Sequence, residues 1–92
     1  MNEPSYIIDG LKFYQTCIAC PEQYDVFDQS DKQVGYLRLR GGWFRVDYPE
    51  CFMETIYEYH FSDTFKGCFD EDERNTFLKI AAQKIKERLS CI

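Results

Sequence analysis

Arginine and aromatic side chains alternate along one stretch of the chain, where two short runs flank a pair of glycines. The runs cover residues 34–40 and 43–48, and Gly41-Gly42 joins them. A two-residue glycine loop between alternating runs predicts a β-hairpin, because both loop positions need a positive φ. The register of this hairpin places the following side chains on its outward face: Tyr36, Arg38, Arg40, Trp43, Arg45 and Asp47.

The same register sets Arg38 directly opposite Arg45. Two like charges about 5 Å apart on neighbouring strands destabilise a sheet unless something neutralises them. Three explanations are open. Asp47 and Glu58 lie on the correct face to form salt bridges, an anionic ligand such as a nucleotide would accept bidentate arginine contacts, and an acidic partner protein would use Arg and Trp as binding hot spots.

The cysteines offer a second candidate site. Cys17 and Cys20 have the spacing of half a zinc site, but no second Cys-x-x-Cys follows them. The count of five is odd and residues 1–5 do not have the basic composition of an export signal, so we expect reduced, structural thiols. Zinc bound through Cys17 and Cys20 is a weaker alternative, and a redox pair is weaker still.

The sequence gives little support for catalytic chemistry. His60 is the only histidine, and Glu58 is the acid nearest to it on the same predicted strand face. The sequence does not identify residues that would act together as nucleophile, base and oxyanion donor. We therefore expect a protein that is not an enzyme and that needs no cofactor.

Strands come first in the chain and a helix comes last. Strand-like composition covers residues 6–16, with a bend at Asp9-Gly10, and residues 23–29 and 54–61 flank the hairpin on either side. Residues 71–90 predict a helix. The expected fold class is α+β: an antiparallel sheet of four to five strands, a meander with a Gly-Gly hairpin, packed on one face by a single C-terminal helix.

The predicted core lies between the inner face of this sheet and the helix. Asp70 and Glu73 have the spacing of a capping box, which would start the helix. The inward side chains of the hairpin are Leu37, Leu39, Phe44 and Val46. The apolar stripe of the helix is Leu78, Ala81, Ala82, Ile85 and Leu89.

Composition limits the function classes. The 92 residues suffice for one domain, which we expect over residues 6–92 after a flexible segment of residues 1–5. Eleven basic and sixteen acidic side chains give a net charge of −5, which disfavours generic nucleic-acid binding. No apolar run is long enough to span a membrane, so we expect a cytoplasmic protein of a bacterium or an infected host cell.

Several segments together resemble a group of small uncharacterised proteins found among bacterial and phage or prophage genes. The segments that carry the resemblance are Cys-Pro-Glu-Gln-Tyr-Asp-Val-Phe-Asp at 20–28, Gln-Val-Gly-Tyr-Leu-Arg-Leu-Arg at 33–40 and Phe-Arg-Val-Asp-Tyr-Pro at 44–49. That group has no established activity, so the resemblance implies a phage accessory protein without implying a catalytic residue.

The sequence therefore predicts a non-enzymatic interaction module. Its binding face would consist of Tyr36, Arg38, Arg40, Trp43 and Arg45. A protein partner is the leading hypothesis, with a homodimer as one form of it. A nucleotide or other phosphorylated anion on the same face is the alternative.

Overall fold

The computed structural model describes residues 3–17 and 20–90. Over these residues the chain forms six strands and one helix, and the strands make one open antiparallel sheet in chain order. The elements are β1 (Tyr6–Ile8), β2 (Leu11–Gln15), β3 (Glu22–Phe27), β4 (Gln33–Arg40), β5 (Trp43–Tyr48), β6 (Glu54–His60) and α1 (Glu71–Ser90). The α+β class, the antiparallel sheet and the C-terminal helix are confirmed, but the number of strands is six and not four to five.

The additional strand arises at Asp9-Gly10. These two residues have φ values of 53° and 81°, so the chain reverses completely there and does not merely bend. Ile8 pairs with Leu11 across the turn, and β1 and β2 form a hairpin of their own. One bent strand and two strands joined by a tight turn have the same β-branched and aromatic composition. The sequence therefore predicted β1 and β2 as a single strand.

The β4–β5 hairpin has the predicted register. Arg40 pairs with Trp43, Arg38 with Arg45, and Leu37 with Val46. The inward-facing leucine, phenylalanine and valine side chains of both strands are buried against α1. Tyr36 shares the opposite face with the arginines but is itself buried, and its hydroxyl donates a hydrogen bond of 2.7 Å to Gln23 Oε1.

Helix α1 begins as the capping box predicts. The Glu73 amide donates to Asp70 Oδ1 at 2.8 Å, and the Asp70 amide donates to Glu73 Oε1 at 3.0 Å. The buried residues of α1 are Leu78, Ala81, Ala82 and Ile85. Leu89 was expected in the same stripe but is 41% exposed, because it lies one turn beyond Ile85, the last buried residue of α1.

A disulfide joins Cys20, just before β3, to Cys68 in the segment that leads into α1. Their Cα atoms are 5.5 Å apart and 48 residues separate them in sequence. The prediction that all cysteines are reduced thiols is therefore wrong for this pair, since spacing along the chain gave no sign that residues 20 and 68 meet. Cys17 and Cys51 are free thiols.

Cytoplasmic localisation stays a prediction, and the Cys20–Cys68 disulfide does not favour it, because disulfides persist mainly in oxidising compartments.

The described part of the chain contains no helix that is long and apolar enough to cross a membrane. Residues 1 and 2 of the segment expected to be flexible, and the Cys91 thiol, lie outside the described residues.

Candidate binding site on the hairpin

A cavity of about 270 Å³ opens on the outward face of the β4–β5 hairpin. Its lining residues, which we call the Arg–Trp pocket, are Arg38, Arg40, Trp43, Arg45 and Phe52. Four of the five predicted site residues therefore line one cavity. Tyr36, the fifth, lies on the same face but does not line the cavity.

Arg45 is the fixed centre of the pocket. It is 6% exposed, and its Nε–H donates to Asp47 Oδ2 at 3.0 Å. Its guanidinium carbon lies 5.3 Å from the centre of the Trp43 ring and 4.4 Å from that of Phe52, distances typical of cation–π contacts. Asp47 neutralises the charge of this arginine, and the two rings limit its movement.

Asp47 also holds the loop that follows β5. This fully buried carboxylate accepts the Phe52 amide at 2.8 Å and the Thr55 hydroxyl at 2.9 Å, in addition to Arg45. Phe52 has a φ of 64°, an unusual value for a bulky residue, and the bond to Asp47 fixes it there. A buried acid with three donors thus positions one wall of the pocket.

Sequence reasoning missed Phe52. It lies in an irregular loop, where neither strand nor helix periodicity applies. The available signal was Asp47, a carboxylate in a strand whose other residues, apart from Arg45, are apolar or aromatic. Such a residue has to find donors nearby, and backbone amides of the following loop are common partners.

Arg38 and Arg40 are not neutralised in this way. The Nε atom of Arg38 is buried and has no hydrogen-bond partner within the described residues. Arg40 is exposed and forms no ion pair with any residue of the described ranges. The explanation that acids of the same face neutralise the arginines therefore holds for Arg45 and fails for these two.

Glu58 is engaged elsewhere. Its Oε1 accepts the indole N–H of Trp43 at 2.9 Å and lies 3.3 Å from Nε2 of His60. The His60 and Trp43 rings stack, with centroids 5.7 Å apart and planes 7° apart. His60 and Glu58 are largely exposed and support the Trp43 ring. They do not form a buried acid–base pair.

Tyr36 and Cys51 border the pocket. Burial raises the pKa of the Tyr36 hydroxyl, and the neighbouring Cys51 thiol raises it further. Cys51 Sγ lies 4.0 Å from a terminal nitrogen of Arg45, a weak hydrogen bond. Tyr36 is thus a neutral supporting residue beside the charged groups.

The cysteine pair predicted as a weak zinc site does not fit one. Cys20 is bonded to Cys68, so its sulfur is not available as a thiolate ligand alongside Cys17. Across residues 3–17 and 20–90, no three His, Cys, Asp or Glu side chains group closely enough to hold a metal ion.

No family model, curated protein or solved structure matches this chain. The geometry of the pocket is therefore the evidence on function. Three guanidinium groups and two aromatic rings surround one small cavity, and a single carboxylate, that of Asp47, pairs with one of the three. This arrangement suits the binding of an anion.

Proposed function

We propose that this chain is a non-enzymatic binding module whose Arg–Trp pocket binds an acidic segment of a partner protein. The observation that carries the proposal is the state of Arg38 and Arg40, which line one cavity without an ion-pair partner in the described residues. Arginines without an ion-pair partner contribute the most binding free energy when a partner supplies the missing anion.

The surrounding molecule strengthens this interpretation. The whole chain carries a net charge of −5, so an acidic partner is repelled by most of the surface and attracted to this local basic area. Arginine and tryptophan are also the residues that most often dominate binding energies at protein interfaces. The pocket lies on a paired hairpin, which lowers the entropy lost on binding.

Affinity capture with charge-reversed variants tests the proposal. The wild-type protein and the double variant Arg38→Glu/Arg40→Glu are immobilised and exposed to the same lysate of the native cell. We expect the double variant to recover at least about tenfold less of any specific partner, because two favourable charge contacts become repulsive. Recovery by the wild type should also fall as salt is raised.

The matched control is Lys32→Glu/Lys79→Glu, which changes the net charge equally at two exposed lysines away from the pocket. It should recover the partner as the wild type does. Equal recovery by the pocket variant and the wild type would remove the Arg–Trp pocket as the binding face. A second copy of this chain is one partner to examine, by measuring the mass of the free protein in solution.

The biological setting is part of the proposal. From the resemblance described above we infer a phage or prophage accessory protein that acts in the cytoplasm. Genes adjacent to its coding sequence test this setting, since an early phage region favours inhibition of a host factor and a structural cassette favours virion assembly.

A further inference from the structure

The charge of the Arg–Trp pocket indicates which kind of anion it accepts. Asp47 neutralises Arg45, whereas Arg38 and Arg40 keep their full charges. The wall of the cavity therefore carries two uncompensated positive charges. A carboxylate would neutralise one of them, whereas a phosphate monoester carries about −1.5 to −2 near pH 7 and matches both.

The hydrogen-bond donors of the pocket favour the same anion. Each guanidinium has five N–H donors in a fixed planar fork, and the buried Nε–H of Arg38 has no acceptor in the described residues. Asp47 already has three donors, and Glu58 accepts from Trp43. Many donors thus face few acceptors, and a phosphate group brings three strong acceptor oxygens.

The size and walls of the cavity indicate what carries the phosphate. A volume of about 270 Å³ lies just below the usual range for drug-sized ligands and fits a phosphate with a short organic group. The rings of Trp43 and Phe52 provide apolar contact for that group. His60 stacks on one face of the Trp43 ring, so that face is not available to a nucleotide base.

We propose that the Arg–Trp pocket binds the phosphate monoester of a phosphorylated side chain on the partner protein. This inference rests on the proposed function and names the acidic group that the partner presents. Arg38 and Arg40 would bind the phosphate oxygens, Arg45 would add the remaining N–H donors of its fixed guanidinium, and Trp43 and Phe52 would contact the organic part of the ester.

Trp43 is the only tryptophan of the chain, so its fluorescence reports directly on the pocket. The intact protein is titrated in phosphate-free buffer with phenyl phosphate, phenyl sulfate and benzoate, which share a ring and differ in charge and acceptors. We expect a saturable fluorescence change with phenyl phosphate, at an affinity at least about tenfold higher than for the two monoanions. Similar affinity for all three would overturn the inference.

Single substitutions then assign the binding. Arg38→Gln and Arg40→Gln should each weaken phenyl phosphate at least about tenfold, as expected for a lost charge-assisted hydrogen bond. Lys79→Gln removes the same charge from an exposed helix position and should leave the affinity unchanged. Arg40 is exposed, so its variant tests the inference even if Arg38→Gln alters folding. Unchanged affinity in both arginine variants would contradict it.

Peptide binding and phosphatase treatment distinguish a phosphorylated protein side chain from a nucleotide as the source of the phosphate. A phosphotyrosine peptide should bind more tightly than adenosine monophosphate, and the unphosphorylated peptide should not bind. Tighter binding of the nucleotide would overturn the assignment to a protein side chain. In the capture experiment, phosphatase treatment of the lysate should abolish recovery of the partner. Recovery that depends on Arg38 and Arg40 but resists phosphatase would reject this inference and leave the proposed function intact.

Discussion

Arg38 is the residue in which stability and binding conflict. It faces Arg45 across the hairpin, and its buried Nε–H has no partner in the described part of the chain. An unsatisfied buried donor costs about 1–3 kcal/mol. Natural proteins carry such costs mainly where function requires them, so this position marks the candidate site on energetic grounds.

Replacing Arg38 by a linear apolar side chain should therefore stabilise the free protein. We expect Arg38→Met to raise the free energy of unfolding by about 1 kcal/mol in phosphate-free buffer, because it removes the unsatisfied donor. Urea unfolding of the two proteins measures this difference. The exposed Arg40→Met serves as the control and should change stability by less than about 0.5 kcal/mol.

A loss of stability in Arg38→Met would contradict this account. It would mean that the Arg38 guanidinium is satisfied in the free protein, for example by water. An Arg38 donor satisfied in this way would no longer point to a bound anion.

At the scale of elements, the β4–β5 hairpin is anchored at its tip. The Gly42 amide donates to the Lys66 carbonyl at 2.8 Å, and the Phe61 amide donates to the Gly42 carbonyl at 2.7 Å. The segment of residues 61–70 thus holds the end of the hairpin that carries Arg40 and Trp43. A pocket on an anchored hairpin keeps its geometry better than one on a free loop.

Substitutions at the two loop glycines distinguish the stability that comes from this anchoring from the stability that comes from the turn conformation. Both have a positive φ, 61° at Gly41 and 76° at Gly42. A Cβ at Gly41 would lie 3.7 Å from its nearest neighbour, the Thr64 carbonyl oxygen, whereas a Cβ at Gly42 would overlap the Asp63 carbonyl oxygen. Gly41→Ala is therefore the matched control for Gly42→Ala.

We expect Gly41→Ala to cost about 1–2 kcal/mol, the ordinary cost of a left-handed conformation for alanine. Gly42→Ala should cost about 1–3 kcal/mol more, because the backbone of residues 61–63 has to move. Thermal and urea unfolding measure both losses. Equal stability of the two variants would show that contact with the 61–70 segment does not hold the hairpin tip.

At the scale of the whole molecule, two side-chain links join the start of β3 to the segment before α1 and to α1 itself, beside the backbone hydrogen bond that the Glu22 amide donates to the Gly67 carbonyl. One is the Cys20–Cys68 disulfide, and the other is Glu22, whose side chain is 1% exposed. Glu22 accepts the Phe69 amide at 3.0 Å and the Arg74 guanidinium at 2.8 Å, and Tyr24 donates a further hydrogen bond to it. Sheet and helix thereby share one buried carboxylate.

Glu22 should make stability depend on acid pH. Burial alone raises the pKa of Glu22, but hydrogen bonds from Arg74, Tyr24 and the Phe69 amide together lower this pKa below its ordinary value. A lowered folded-state pKa stabilises the native state fully above the unfolded-state pKa of about 4.3. This contribution is lost as the pH falls through the lower, folded-state pKa.

Urea unfolding between neutral pH and about pH 3 tests the role of Glu22. Glu22→Gln should lower stability near neutral pH by about 1–3 kcal/mol and should lose stability less steeply as acid is added. The exposed Glu87→Gln should keep the steep acid dependence of the wild type. Parallel pH profiles for the wild type and Glu22→Gln would show that Glu22 is not the titrating group.

Sequence patterns were informative where a local rule applies. The Gly-Gly loop determined the register that sets Arg38 against Arg45, and the capping box determined where α1 begins. These features depend on backbone geometry within a few residues, so the sequence alone predicts them. The turn at Asp9-Gly10 was the exception, since the same composition serves both a bent strand and a hairpin.

Tertiary structure decided everything that joins distant residues. It paired Cys20 with Cys68, brought Phe52 beside Arg45, and assigned Asp47 to Arg45 while leaving Arg38 and Arg40 unpaired. No periodicity along the chain encodes these partners, because each depends on how loops of irregular backbone pack against the sheet. The sequence by itself placed three arginines and a tryptophan on one face of a hairpin. Only the folded chain determined which of their charges remain for a ligand.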